Sequence, residues 1–95
     1  PLNTMEAERH VTILNQKGIH VRPATLFAET AGRFSSGIEV VKDGQIVDGK
    51  SCIDLLTLAA EPGTPLLLRA NGSDAEVAVS TLADLIQDRF GFKDD

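Results

Sequence analysis

The chain has 95 residues, of which 42% are hydrophobic and 24% charged, and 14 acidic against 9 basic side chains leave a net charge of −5. That length suits one modest core and excludes two domains, and the acidic balance supplies no basic footprint for nucleic acid. A single cysteine, Cys52, permits no internal disulfide, the two histidines lie far apart with no zinc-ligand spacing, and no apolar run is long enough to span a bilayer. With no signal peptide visible, the cytoplasm is the expected compartment, without membrane, metal or cofactor.

Pro1 to Thr4 have no periodicity and precede Met5, so they read as an extension or remnant outside a single domain over residues 5–95. His10 to Leu14 alternates polar and apolar side chains and reads as a strand, with His10 on its solvent side. Asn15 to Gly18 is a loop. A helix follows from His20, its apolar face marked by Ala24, Phe27, Ala28 and Ala31, and Gly32 suits a left-handed cap at its end. Ile38 to Lys42 and Gln45 to Val47 flank Asp43-Gly44, the signal for a two-residue hairpin. Ser51 precedes an apolar run and has Asp54 three residues later, a capping-box pattern for a short helix ending at Pro62-Gly63. Thr64 to Ala70, with Leu66-Leu67-Leu68 inside it, fits a central strand, although periodicity alone also allows a buried helical segment. Asn71-Gly72 is a turn, Ser73 and Glu76 form a second capping-box pattern, and a last helix places Ala78, Leu82, Leu85 and Ile86 on one face before fraying near Gly91. Strand, helix, strand, strand, short helix, strand, helix is the order of a two-layer α+β domain, in which the apolar helix faces need a sheet to cover.

The chemistry concentrates in Gly18-Ile19-His20-Val21-Arg22-Pro23-Ala24. Proline suits a first helical turn, where its missing N–H had no intrahelical partner. His20 then holds the capping position, ahead of the amides of Val21 and Arg22. Those amides, the positive helix end and the guanidinium of Arg22 together suit an anion such as phosphate. An imidazole beside such a site points to a histidine that carries a phosphoryl group.

This heptad closely resembles the active-site signature of the histidine-containing phosphocarrier (HPr) family of bacterial sugar phosphotransferase systems. Gly49-Lys50-Ser51-Cys52-Ile53-Asp54-Leu55-Leu56-Thr57-Leu58 is similar to that family's regulatory-serine segment, and the likeness runs from about Arg9 to Phe90. The resemblance implies an open-faced β-sandwich, a four-stranded antiparallel sheet covered on one face by two main helices and a short one. It implies phosphorylation of His20 on Nδ1 by Enzyme I, with Arg22 steadying the phosphate, and onward transfer to IIA components. It further implies docking through Cys52, Ile53, Leu56 and Thr57, with Leu55 and Leu58 left to the core, and a regulatory role for Ser51 through an HPr kinase/phosphorylase. The protein would then be a monomeric carrier rather than a conventional enzyme. Lys17, Glu29 and Asp54 depart from residues common in the family and leave room for a regulatory paralogue that feeds no transporter. A hydrolase built on Cys52 or Ser51 with His20 would need a third orienting group and a pocket, and Ser51 is already assigned to a cap.

Overall fold

The computed structural model describes residues 5–93, so the extension over residues 1–4 lies outside the described residues. Four strands, β1 (Glu6–Thr12), β2 (Gly37–Lys42), β3 (Gln45–Asp48) and β4 (Pro65–Asn71), form one sheet in the order β1-β4-β2-β3. All three pairings are antiparallel. Helices α1 (Val21–Ala31), α2 (Cys52–Thr57) and α3 (Ala75–Gln87) follow the expected order, and a short 3₁₀-type turn occupies Arg89–Gly91. This is the open-faced α+β architecture anticipated from the sequence.

Alternation along the strands explains why one face is covered. Ala7 and Val11 of β1, Ile38 and Val40 of β2, Val47 of β3, and Leu66, Leu68 and Ala70 of β4 are buried. They meet Phe27 and Ala31 of α1, Leu55 of α2, and Ala78, Val79, Leu82 and Ile86 of α3 in one core cluster. The opposite face carries Glu8, His10 and Glu39, which are exposed. There Arg69 holds Glu39 through Nε (3.1 Å) and Nη2 (2.7 Å). Leu66-Leu67-Leu68 does lie in a central strand, between β1 and β2. Its middle residue faces the open side and is only half-buried.

Several boundaries differ from the expectation, each for a physical reason. The first strand begins at Glu6 rather than His10, because Glu6 to Arg9 pair with Asn71 to Leu68 of β4. Charged side chains on this edge hide the strand from a hydropathy reading while discouraging edge-to-edge association. Gly32 is right-handed (φ −65°), not left-handed, because the chain continues for another turn, with the Arg33 and Phe34 amides donating to the Thr30 and Ala31 carbonyls. Helix α2 stops at Thr57, well before Pro62-Gly63; Ala59 turns left-handed (φ 50°) there, and Lys42 Nζ donates to the Leu58 carbonyl at 2.7 Å. Only six residues long, α2 could not persist alone and is held by Leu55 and Leu58, both 1% exposed.

The second capping box does not form. Helix α3 has Asp74, not Ser73, at its cap position, and Asp74 makes no side-chain capping bond. Its carboxylate instead accepts hydrogen bonds from the backbone amides of Ser35 and Ser36, both at 2.9 Å, and from the Ser36 hydroxyl. The Ser36 hydroxyl first, then the Ser35 amide, hold the Asp74 carboxyl down to about 2, with partial burial opposing them. Asp74 therefore ties the start of α3 to the loop between α1 and β2.

Candidate functional site

Asn15 to Gly18 form a tight turn in which the Gly18 amide donates to the Asn15 carbonyl at 3.1 Å and Asn15 Nδ2 donates back to the Gly18 carbonyl at 2.6 Å. Asn15 is fully buried. Gly18 has φ +68°, and a Cβ on it would lie 2.3 Å from the Ala60 carbonyl oxygen. Only glycine allows that approach, which lets the next amide, that of Ile19, donate to the same carbonyl at 2.8 Å. With Ile19 buried in the core, the backbone is held on both sides just before His20. The position of His20 is thus set by main chain and packing.

His20 is the N-cap of α1, in extended conformation (φ −117°, ψ −165°), and its side chain makes no capping hydrogen bond. The first helical bond runs from the Ala24 amide to the His20 carbonyl at 3.0 Å. Pro23 has no N–H, so Val21 and Arg22 supply the amides at this end that have no intrahelical acceptor. Pro23 and Ala24 are buried, and His20 is half-buried at the surface. A half-buried imidazole at a positive helix end can be reached by a second protein and can hold an anion beside the helix. Arg22 is exposed, and its Cζ lies 3.8 Å from the centroid of the Phe92 ring, over the ring face.

Ser51 stands at the start of α2, where its Oγ accepts from the Asp54 amide at 3.1 Å. The reciprocal half of the expected capping box is missing. Asp54 Oδ2 instead accepts from the Asp48 amide at 3.3 Å, while the Ser51 amide donates to the Asp48 carbonyl. Lys50 Nζ donates to the Phe34 carbonyl at 2.8 Å and fastens this entry to the end of α1.

Helices α1 and α2 pack together, and Thr25 Oγ1 lies 3.5 Å from Cys52 Sγ. Of the anticipated docking residues, Ile53 is 75% exposed, Thr57 is exposed, and Cys52 and Leu56 are half-buried against the core. Leu55 and Leu58 are core, as expected. Sequence reasoning overlooked Val21, which is 63% exposed, one helical turn from Thr25 and next to His20. An apolar residue inside the heptad but off the Ala24-Phe27-Ala28-Ala31 face was the available signal. No local pattern around Phe92 signals its contact with Arg22. Among the described residues, no group of acidic, histidine or cysteine side chains could hold a metal ion, and no helix is long and apolar enough to cross a membrane.

A family model described as the PTS HPr component phosphorylation site matches residues 7–88. The phosphocarrier protein HPr of Borreliella burgdorferi is 47% identical over 70 residues, covering 74% of this chain and 81% of its own. The crystal structure of HPr from Thermoanaerobacter tengcongensis superposes with a TM-score of 0.88 at 41% identity, covering 92% of this chain and 98% of that one. Crh of Bacillus subtilis, a catabolite repression protein described as a domain-swapped dimer, superposes with a TM-score of 0.72 at 38% identity, over 83% of this chain and 91% of its own.

Proposed function

The chain belongs to the HPr family of phosphocarrier proteins, and on that premise we propose that it accepts a phosphoryl group from phospho-Enzyme I on His20 and passes it to IIA components of sugar permeases. The observation that carries this reading is His20 at the N-cap of α1, its side chain not spent on a capping bond, half-buried at the surface and closely followed by Arg22. A ring nitrogen of His20, Nδ1 by family resemblance, attacks the phosphorus of the donor phosphohistidine. One N–P bond forms as the donor's N–P bond breaks, and the ring proton stays on the other His20 nitrogen. The exchange is reversible and consumes no cofactor. The first amides of α1 and the Arg22 guanidinium favour the phosphoryl oxygens in flight and after arrival.

Docking on this reading uses the apolar surface of the first turns of α1 and α2, with Val21 and Ile53 at its most exposed points and Cys52, Leu56 and Thr57 around them. Ser51 is the regulatory site. A phosphate there would sit at the start of α2 beside Cys52 and Ile53, and a partner would have to desolvate a dianion to dock. Phosphorylation by an HPr kinase/phosphorylase should therefore raise the apparent Michaelis constant for Enzyme I more than it lowers the maximal rate. Asp54 adds a like charge at the same helix end and works against that kinase.

The likeness to Crh supports a second reading, in which the chain signals through its phosphorylation state without feeding a transporter. Incubation with purified Enzyme I and phosphoenolpyruvate, followed by mapping of acid-labile phosphate, tests the first. The parent should label on His20 alone and His20→Ala should not label; phosphate on His10, or equal labelling of the variant, overturns the assignment. Onward transfer to a sugar-specific IIA component separates the two readings, and light scattering of the purified chain tests whether it is the expected monomer.

A further inference from the structure

We infer that Phe92 is a positioning residue for Arg22, held in place by the left-handed turn that precedes it. The inference rests on the phosphocarrier reading for its kinetic consequence. Arg89 (φ 53°), Phe90 (φ 58°) and Gly91 (φ 75°) are left-handed in succession. Two of the three are not glycine, and side chains make that conformation costly. The turn is closed by the Gly91 amide on the Asp88 carbonyl (2.9 Å) and the Phe92 amide on the Arg89 carbonyl (3.1 Å). What sustains it is Phe90, 2% exposed and part of the core.

Continued as helix, this segment would run on along the α3 axis. The left-handed residues turn the chain back onto α1 instead. Their visible product is the Phe92 ring beneath the Arg22 guanidinium, 3.8 Å from Cζ to the centroid. Such a contact engages the face of the guanidinium, while its N–H bonds lie in its plane and point to the edge. Arg22 can thus rest on Phe92 and donate to phosphoryl oxygens at the same time. The ring contact restricts this long side chain near His20 before the phosphoryl group arrives.

The test compares Phe92→Leu and Phe92→Tyr in the parent and in an Arg22→Ala background. His20 is labelled in two ways, by phospho-Enzyme I and by phosphoramidate, a small phosphoryl donor that needs no docking surface. Phe92→Leu should slow both reactions about two- to fivefold, Phe92→Tyr should restore the parent rate, and in Arg22→Ala neither change should matter further. The Arg22 Cδ protons should show a ring-current shift in the parent and in Phe92→Tyr that is lost in Phe92→Leu, a signature that a general loss of stability would not erase selectively. Parent rates in Phe92→Leu, an equal loss in both backgrounds, or no ring-current shift in the parent overturns the inference. A parent that labels with phosphoramidate but takes nothing from Enzyme I overturns the phosphocarrier reading alone, and the phosphoramidate rates still decide the role of Phe92.

Discussion

At the start of α1 a histidine occupies the cap position and makes no capping bond, whereas at the start of α2 a serine occupies it and bonds the Asp54 amide at 3.1 Å. The two helices pack together, yet one begins with a side-chain cap and the other does not. A serine, threonine or aspartate at position 20 would satisfy the helix better than histidine does. The α1 terminus therefore forgoes local stability, and the loop before it compensates, through Asn15, Gly18 and the Ala60 carbonyl, by holding the backbone from outside the helix. The α2 terminus needs its cap because a helix of six residues has little else of its own. The start of α3 is a third case, where Asp74 spends its carboxylate on a distant loop.

The strongest way to break this contrast is Gly18→Ala, which asks for a left-handed alanine whose Cβ would lie 2.3 Å from the Ala60 oxygen. A loss of about 2–3 kcal/mol is expected in urea unfolding, together with slower labelling of His20 as the loop moves off Ala60. Stability within about 0.5 kcal/mol of the parent would show that the loop is not what holds the α1 terminus.

Ser51→Ala should cost about 1 kcal/mol by removing the cap, while phosphoryl acceptance stays near the parent rate. If transfer falls in step with stability, the two helix starts are not separable in role.

His20→Ser reverses the comparison. It should gain about 0.5–1 kcal/mol, the ordinary worth of a good cap, while abolishing acid-labile phosphorylation. A destabilised variant would mean that the imidazole already supports the helix start as well as a serine could.

The smallest effect belongs to Asp74→Asn and is visible only against pH. A carboxyl held at about 2 from an ordinary 3.8 contributes stability in full above the unfolded value, and loses it as pH falls through the folded one. The parent should therefore melt above Asp74→Asn near neutrality, with the gap narrowing from about pH 4 downward and closed below about pH 2. Thermal melts of both proteins across that range check it; a gap independent of pH would assign the difference to hydrogen-bond geometry instead of charge.

Much of the fold was legible because its signals are local. Asp43-Gly44 adopts the positive φ values (48° and 84°) that a two-residue hairpin demands. Pro23 marks the first turn of α1, the apolar period of α1 and α3 names their buried faces, and Ser51 caps α2. Each depends on a few consecutive backbone torsions, which the residues themselves bias whatever surrounds them. The location of the candidate histidine was legible for the same reason, since a helix start is a local event.

What the tertiary structure alone decided lies between residues far apart in the chain. The strand over Glu6 to Arg9 exists because β4 lies beside it, not because of its own weak alternation. Asp74 serves Ser35 and Ser36 rather than its own helix, since folding brings two consecutive loop amides to its carboxylate. Ala60 offers its carbonyl to Ile19, and Phe92 its ring to Arg22, through contacts that no spacing rule encodes. The amino-acid sequence by itself determined where helices and turns begin, because torsional preference and capping act over one turn of chain. Which side chains then complete the histidine's surroundings was left to the packing of α1 against the β4 entry and the C-terminal turn, because only a closed core brings such distant segments together.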